Sequence, residues 1–273
     1  MIDDLTPERI QHNLDSMIVG RMIEHYAEAG STNELARRQA RAGHAEGLVI
    51  LADLQTAGRG RMGRAWVAPP SSSLLVSLLL RPTWLAPADA FSLTMLAGVA
   101  LCEAVEQVTS VHAALKWPND LLLLVRTAAG PTLRKAAGIL SEIELTGDRI
   151  AWVVIGIGVN VNWSPAGIVD ERNLAEVATS VGVADGQPVE RLALLRALLE
   201  RLDARYEALR RGEQADLFER WRDRLATLGQ PVQISLPHGV LRGIAADVER
   251  SGALHVRDEH GALHSVLAGD VGG

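Results

Sequence analysis

Apolar residues along the first part of the chain recur in two spacings, which predict strands and helices within one domain. Four apolar runs have the length of buried strands, at 47–53, 72–80, 135–145 and 149–163. Thr146-Gly147-Asp148 between the last two runs indicates a hairpin. Residues 89–108 instead carry an apolar stretch long enough for a helix. Adjacent antiparallel strands favour an α+β fold over a doubly wound parallel sheet.

Further helices are indicated by a start signal and by leucines at helical spacing. Ser31 opens a helix that runs to about Gln39, and Glu34 stands at the spacing of a capping box. Leucines predict a helix over 188–211, and an amphipathic pattern predicts another over 213–228.

Turn residues divide the remaining segments. Residues 113–125 predict two short strands interrupted by Pro118-Asn119-Asp120, and residues 127–132 predict a surface turn. Towards the C-terminus the texture changes to short strands separated by turns, which is typical of a small β-barrel. We therefore predict two domains, residues 1–228 and residues 229–273.

The composition is that of a folded protein without a membrane segment. The chain has 273 residues, 48% of them hydrophobic and 22% charged, which is enough apolar material for a buried core. The longest apolar run, 74–80, is far shorter than a membrane span. Cys102 is the single cysteine and excludes an internal disulfide, and no histidine pair has the spacing of metal ligands. We expect a cytoplasmic protein with no fixed metal site.

The charged residues carry a second signal. A formal net charge of −6 argues against a protein that coats nucleic acid. Of the 27 basic residues, only Lys116 and Lys135 are lysine. An arginine-biased chain retains lysine where a compact ammonium group is needed and a wide guanidinium group does not fit. The two lysines are therefore candidate functional residues, with chance as the alternative.

A loop rich in glycine and arginine, residues 58–66, is the first candidate site, and we name it the arginine loop. Arg59, Arg61 and Arg64 fall within six positions, in a region with no acidic residue from 54 to 88. Glycines expose backbone N–H groups beside the guanidinium groups, a combination that suits a phosphate or carboxylate. A solvated basic turn is the alternative. The GxGxxG spacing does not indicate a dinucleotide fold, because prolines and serines follow instead of a helix.

Four other segments combine polar residues with unusual backbone. Lys116-Trp117-Pro118-Asn119-Asp120 presents a lysine beside a turn, and Lys135 begins a strand. Gly156-Ile157-Gly158-Val159-Asn160 leaves room for a flat ring, with an asparagine that can bond a purine edge. Ser31-Thr32-Asn33 at a helix start suits a small polar ligand. Each segment also has a purely structural interpretation, respectively a turn, a solvated strand end, a β-bulge and a helix cap.

Taken in order, these segments resemble the biotin–protein ligase family, in its monofunctional type without a DNA-binding domain. The resemblance rests on Ser31 to Asn33, Gln55 to Arg61 with Arg64 and Trp66, Lys116 to Asp120, Lys135 to Leu140, and Gly156 to Asn160. It covers residues 25–163 closely and the C-terminal part in texture. It implies an α+β catalytic domain of the biotin/lipoate-ligase, class II synthetase-like type with a central mixed sheet, followed by an SH3-like β-barrel.

The resemblance also implies a role for each matched position. It assigns biotin binding to Ser31, Thr32, Asn33, Gln55, Gly58, Arg59, Gly60, Arg61 and Lys135. It assigns ATP binding to Arg61, Arg64, Trp66, Asn119, Lys135 and Asn160. It assigns catalysis to Arg59, Arg61, Lys116, Asp120 and Lys135, with the aspartate orienting the incoming amine.

The implied reaction converts biotin and ATP with Mg²⁺ into biotinyl-5′-AMP, and then passes the acyl group to a lysine. The implied partner is the biotin carboxyl carrier domain of acetyl-CoA carboxylase. Since few residues precede Ser31, we expect no operator DNA to be bound. No membrane partner is expected, and the oligomeric state stays open, with a homodimer as one option. The alternatives are a lipoate or octanoate ligase on the same scaffold and a non-catalytic biotin-binding module.

Overall fold

In a computed structural model the chain forms a seven-stranded mixed sheet. The structure describes residues 5–127, 130–236, 239–267, 269 and 271–272. The strands of the large sheet are β1 (Met22–Ala29), β2 (Leu48–Gln55), β3 (Ser73–Leu80), β4 (Ala113–Lys116), β5 (Asp120–Thr127), β6 (Gly130–Thr146) and β7 (Arg149–Asn160). Their order is β1-β2-β3-β7-β6-β5-β4, with β1 and β2 parallel and the other neighbours antiparallel. The predicted α+β fold with a mixed sheet is confirmed.

Helices cover the two faces of this sheet. They are α1 (Pro7–Gln11), α2 (Thr32–Arg41), α3 (Phe91–Val108), α4 (Leu174–Val177), α5 (Val181–Asp185), α6 (Arg191–Arg210) and α7 (Gln214–Asp223). A two-residue-turn hairpin, β8 (Ile168–Val169) with β9 (Arg172–Asn173), precedes α4. The main core joins α3 and α6 to one face of the sheet, and a smaller cluster joins α2 to the other face.

The residues of β7 that face α2 change from large to small along the strand. Side chains alternate between the two faces of a strand, so every second residue faces α2. Trp152 and Val154 are buried in the cluster beneath that helix. Gly156 and Gly158 follow on the same face, and then Asn160. The face of the sheet is therefore apolar under α2 and open beyond it, and the open part is the floor of a pocket.

Helix α3 is the one long apolar helix among the described residues. With the short turn before it, Pro87–Val108, it is apolar and long enough to cross a membrane. Such a segment was not predicted, because the longest uninterrupted apolar run is only 74–80, whereas this helix is apolar in its average hydropathy. Most of α3 is buried inside the protein, where it packs against α6. It is thus the central helix of the core.

Three local predictions differ from the structure. Strand β1 was not predicted, because this edge strand carries Glu24, His25 and Glu28 and lacks an apolar run. The capping box is wrong, since the Ser31 side chain makes no capping hydrogen bond. The predicted turn at 127–132 is shorter than expected: β5 and β6 pair as far as the ends of the turn, and Ala128 and Ala129 lie outside the described residues.

A five-stranded antiparallel sheet completes the chain. It contains β10 (Pro231–Leu236), β11 (Gly239–Val248), β12 (Leu254–Arg257), β13 (Leu263–Val266) and β14 (Val271–Gly272), in the order β13-β12-β11-β10-β14. Trp117 is 1% exposed and connects this sheet to the first part of the chain. Its indole Nε1 donates to the Gly252 carbonyl at 2.8 Å, and its backbone N–H donates to Thr227 Oγ1 at 2.9 Å.

We expect Gly252→Ala to weaken this interface. Gly252 has φ +88°, and a Cβ atom there would lie 2.1 Å from Cδ1 of Phe91. Gly261 is a matched control, because it has φ +84° and no atom within 4 Å of its Cβ position. Each alanine incurs about 1–2 kcal/mol of left-handed backbone strain. Only Gly252→Ala adds overpacking, about 1–3 kcal/mol more. Urea unfolding of both variants measures the difference, and equal losses would contradict the close packing at Phe91.

Candidate active site

The pocket lies on the α2 face of the sheet, between α2, the arginine loop and residues 163–178. Its volume is about 630 Å³. Every site residue expected from the sequence lines it except Gly58, which closes the base of the arginine loop. The Gly58 carbonyl accepts from Trp66 N at 2.9 Å, and a Cβ at this glycine would lie 2.4 Å from the Trp66 carbonyl oxygen. Gly58 therefore shapes the loop without facing the pocket.

One end of the pocket is a network of uncharged polar groups. Gln55 Oε1 accepts from both the backbone N–H of Thr32, at 2.7 Å, and its hydroxyl, at 3.1 Å. The Ser77 hydroxyl lies 2.8 Å from Thr32 Oγ1 and 2.6 Å from Asn33 Oδ1. The start of α2 is thus held by a side chain from β2, which replaces the expected cap.

Glu142 completes this network and was not identified from the sequence. Asn33 Nδ2 donates to Glu142 Oε2 at 2.9 Å, and Arg37 Nη1 donates to Oε1 of the same carboxylate at 3.0 Å. Because an ionised carboxylate only accepts hydrogen bonds, Glu142 fixes which end of the Asn33 amide is the NH₂ group. Gly156 makes room for this amide, since a Cβ there would lie 2.1 Å from Asn33 Oδ1.

The indole of Trp66 lies on a floor made by two glycines. Gly138 and Gly158 are cross-strand partners in β6 and β7. A Cβ at Gly158 would lie 2.6 Å from Trp66 Cε2, and one at Gly138 would lie 3.3 Å from Cζ3. The two glycines of β7 were predicted to leave room for a flat ring, and at Gly158 that room is filled by the indole of Trp66. The β-bulge alternative is wrong here, because the register across Gly156 and Gly158 is regular.

Lys135 reaches the pocket because of a bulge elsewhere in β6. Leu121 pairs with Ala137 and Leu122 with Lys135, so Ala136 is an extra residue. In a regular strand, positions 135 and 138 would face opposite sides of the sheet, but one bulged residue reverses that parity. Lys135 Nζ consequently lies 2.8 Å from Asp120 Oδ1 and 5.7 Å from the centre of the Trp66 ring.

Cations from four segments gather in the pocket around Asp120. Burial lowers the pKa of Lys116, and Asp120 opposes that shift while Arg172, Lys135 and Arg64 add to it. Burial also lowers the pKa of Arg64, with a further contribution from Arg172. The lining of the pocket contains six cationic and three acidic side chains, in a chain with a net charge of −6. Both lysines of the chain are among the six.

The arginine loop divides its side chains between the pocket and its edge. Arg61 Nη1 donates to Asn119 Oδ1 at 3.1 Å, and burial lowers the pKa of Arg61. Arg59 Nη2 instead donates to Glu34 Oε2 at 3.0 Å, with about half of each side chain exposed. Asn119 also donates through Nδ2 to the Ile139 carbonyl at 2.6 Å, which orients its Oδ1 towards Arg61.

Two buried polar atoms in the pocket have no hydrogen-bond partner within the described structure. They are Trp66 Nε1, a donor, and Asn160 Oδ1, an acceptor. Asn160 Nδ2 donates to the Thr179 carbonyl at 3.0 Å, which fixes the direction of its unpaired oxygen. Because buried polar groups in proteins are nearly always paired, a donor and an acceptor left unpaired in one pocket indicate a polar ligand there.

Residues 164–178, which we name the cover segment, were not recognised in the sequence. They contribute Val169, Asp170, Arg172, Glu176 and other residues to the pocket lining. Their irregular pattern has no run of apolar residues, and their position follows only from contacts with β6 and the arginine loop. One such contact is the hydrogen bond from Arg134 Nη1 of β6 to the Ala175 carbonyl, 2.8 Å long.

Chemically, the pocket combines a neutral polar end, a cation-rich centre and a buried aromatic ring. No group of three or more His, Cys, Asp or Glu side chains that could hold a metal ion occurs among the described residues. Fixed cations in a partly dry pocket stabilise the negative charge that develops when an acid attacks a phosphoryl group. The site thus suits a ligand with an anionic middle and one aromatic end.

Comparisons with known proteins identify the family of the chain. Residues 29–160 match the Biotin/lipoate A/B protein ligase family, and residues 227–271 match the Biotin protein ligase C terminal domain. The chain is similar to a Mycobacterium tuberculosis protein named biotin–[acetyl-CoA-carboxylase] ligase, with 34% identity over 98% of this chain and 97% of that protein. It is also similar to the Bacillus subtilis bifunctional ligase/repressor BirA, with 29% identity over 98% and 78% of the two chains.

A solved structure gives the same result. The biotin protein ligase of Aquifex aeolicus, in complex with biotin and ATP, has 26% identity and a TM-score of 0.74, covering 92% of this chain and 98% of that one. The mixed sheet, the cation-rich pocket and the family match together define a protein ligase of the biotin/lipoate type. Within that class, the chain belongs to the biotin protein ligase family.

The buried cation of Lys116 predicts a gain in stability when its charge is removed. Lys116→Gln should raise the urea midpoint at pH 7, because the folded protein then no longer holds this desolvated charge. The gain should shrink towards pH 10. As the pH rises, Lys116 loses its proton in the folded protein before it does in the unfolded chain, where its pKa is the ordinary 10.5. Wild-type stability therefore rises with pH and approaches that of the variant.

Arg126→Gln is the control for net charge, because Arg126 is an exposed residue of β5, the strand that pairs with the β4 strand of Lys116. Its free energy of unfolding should stay within about 0.5 kcal/mol of wild type. A lower midpoint for Lys116→Gln than for wild type at pH 7 would contradict the prediction.

Proposed function

We propose that this chain activates biotin with ATP and transfers the biotinyl group to a lysine of a biotin carboxyl carrier domain of acetyl-CoA carboxylase. The observation that carries the proposal is the cation-rich pocket around Asp120, which holds both lysines of the chain. A cytoplasmic location belongs to this proposal, because the reaction requires ATP and the only cysteine is a buried thiol.

In this proposal the ring system of biotin binds at the neutral polar end. Ser31, Thr32, Asn33 and Gln55 line that end and supply amide and hydroxyl groups for the ureido ring. Ser77 and Glu142 are added to the set, because both hydrogen-bond to the Asn33 amide. This network leaves the amide one orientation, which suits a ligand that both donates and accepts hydrogen bonds.

The reacting groups meet at the cation-rich centre. A carboxylate oxygen of biotin attacks the α-phosphorus of ATP, the bond to the bridging oxygen breaks, and pyrophosphate leaves. Arg61, Lys116 and Lys135 offset the repulsion between the carboxylate and the triphosphate, and Arg59 and Gly60 of the arginine loop border the same space. Donors fixed at such a centre each typically contribute about 3–4 kcal/mol to the transition state.

The nucleotide occupies the part of the pocket near Trp66 and Asn160. Adenine has both an exocyclic amine and ring nitrogens, so it can pair with the unsatisfied Asn160 oxygen and the unsatisfied indole N–H. Arg64 and Asn119 face the phosphates in this arrangement. Mg²⁺ enters with the phosphates of ATP as part of the substrate.

The second step brings the lysine amine of the carrier domain to the acyl carbon, and AMP leaves. The enzyme needs no nucleophile of its own, because the amine belongs to the partner. Asp120, 2.8 Å from Lys135, accepts a hydrogen bond from a cation at this point and is the residue we propose to orient the incoming amine.

The function is tested by mass spectrometry of a biotin carboxyl carrier domain incubated with the enzyme, ATP and biotin. We expect a gain of one biotinyl group at one lysine, and none when ATP is omitted. Parallel incubations with lipoate and octanoate test the other acids of the class. Modification by one of these and not by biotin would overturn the proposal, and so would tight biotin binding without any transfer.

We expect Lys135→Arg to impair biotin activation more than biotin binding. The compact ammonium group pairs with Asp120 at 2.8 Å and lies 5.7 Å from the centre of the Trp66 ring, and a wide planar guanidinium group would place its charge differently. Biotin-dependent ATP–pyrophosphate exchange should fall roughly tenfold or more, since one donor at the reacting centre is misplaced. Arg126→Lys on the exposed end of the hairpin should retain wild-type exchange. Exchange at the wild-type rate in Lys135→Arg would remove its proposed role.

A further inference from the structure

A carboxylate joins the two segments that border the pocket. Asp170 lies at the tip of the β8–β9 hairpin in the cover segment, and its Oδ2 accepts a hydrogen bond from the backbone N–H of Ala65 in the arginine loop, at 2.9 Å. These residues are 105 positions apart in the chain.

The arginine loop leaves this N–H group available. Arg59 and Ala65 form an isolated antiparallel bridge, in which Gly60 N donates to the Arg64 carbonyl and Trp66 N donates to the Gly58 carbonyl. In such a bridge the N–H of Ala65 points away from its strand partner. The loop is therefore closed on itself, and the Ala65 N–H is oriented outward towards the cover segment.

The hairpin tip adopts a backbone that holds the carboxylate in place. Asp170 has φ +48° and Glu171 has φ +64°, both in the left-handed region. Two consecutive residues of this kind are the signature of a tight two-residue hairpin turn, in which glycine, asparagine and aspartate are preferred. Backbone strain of this kind persists where the surrounding structure determines it, and it often marks a functional segment.

The other end of the cover segment is attached next to the reacting centre. Ala178 forms a parallel bridge with Lys135, and Arg134 Nη1 donates to the Ala175 carbonyl at 2.8 Å. The cover segment thus runs from the strand that carries Lys135 to the loop that carries Arg61. Residues between these two attachments, among them Val169 and Arg172, line the pocket.

We propose that Asp170 is a latch residue that fastens the cover segment to the arginine loop and so retains the acyl-adenylate until an acceptor amine arrives. This inference rests on the proposed function for the identity of the retained molecule, but the latch itself is a property of the protein alone. An acyl-adenylate is a mixed anhydride that water destroys, and exclusion of water by closed loops protects it. Asp170 acts as a positioning residue, since it holds the loop rather than contacting the reacting atoms.

The test compares two glycine variants of the same turn. Asp170→Gly removes the carboxylate and retains the left-handed turn, because glycine adopts positive φ readily. Glu171→Gly makes the same backbone change beside it and keeps the latch. Asp170→Asn retains one oxygen acceptor and should rescue part of the effect. Equal urea midpoints for the two glycine variants establish that both fold.

Two readouts are measured on all four proteins. Limited trypsin cleavage after Arg59, Arg61 and Arg64, first without ligands and then with biotin and ATP, should be roughly fivefold faster for Asp170→Gly than for Glu171→Gly. Release of biotinyl-5′-AMP into solution should accelerate by a similar factor, which corresponds to about 1 kcal/mol. For Asp170→Asn, both the cleavage rate and the release rate should lie between those of Asp170→Gly and wild type.

The outcomes separate the latch from the function. Equal cleavage and equal release in Asp170→Gly and Glu171→Gly would overturn the latch. If wild type forms no adenylate, the proposed function fails, and the cleavage rates without ligands still decide whether Asp170 fastens the loop.

Discussion

The burial of several cations in one pocket is the constraint on which the rest of the site depends. Lys116, Arg61 and Arg64 are partly withdrawn from water, and burial lowers the pKa of all three. Asp120 is the carboxylate that attracts each of them, and it pairs with Lys135 at 2.8 Å. The pocket lining holds six cationic side chains and only three acidic ones. The excess of positive charge in the pocket therefore favours anions. The same excess lowers the stability of the fold, and it suits the proposed role of bringing a carboxylate and a phosphate together.

Strand geometry decides which side chains face the cation-rich pocket. On β7, alternate residues change from tryptophan and valine to glycine, so the sheet is filled under α2 and open beyond it. On β6, one extra residue, Ala136, brings Lys135 to the same face as Gly138. The paired glycines carry the Trp66 ring directly on the backbone, and that ring borders the ammonium group of Lys135. Small residues and a bulge thus determine the site as much as the charged residues do.

The segment from Lys116 to Asp120 serves both parts of the molecule. Its first and last residues face the pocket. Trp117 between them donates hydrogen bonds to Thr227 and to Gly252, which lies between strands β11 and β12 of the small sheet. The interpretation of this segment as a plain turn accounted for the asparagine and aspartate alone. The structure supplies the reason for the tryptophan: it is the buried connection between the small sheet and the strand that carries the lysine.

The amino-acid sequence by itself determined the type of fold and most of the charged residues of the pocket. Apolar runs, turn residues and an antiparallel hairpin are local properties, and they indicated the α+β sheet and the small C-terminal sheet correctly. The edge strand β1 was missed because its polar residues carry no such signal. Glycine, arginine and lysine segments identified the arginine loop and both lysines for the same local reason.

Only the tertiary structure decided how these residues meet. Ser77, Glu142 and Asp170 are ordinary in their own segments, and each acquires a role through a contact with a residue 44, 109 or 105 positions away. The side of the sheet that Lys135 faces depends on a single bulged residue, because strand parity reverses with each residue added. The type of each residue can be read from the sequence. The direction of its side chain and the residues it contacts depend on packing between distant segments, which is a property of the whole fold.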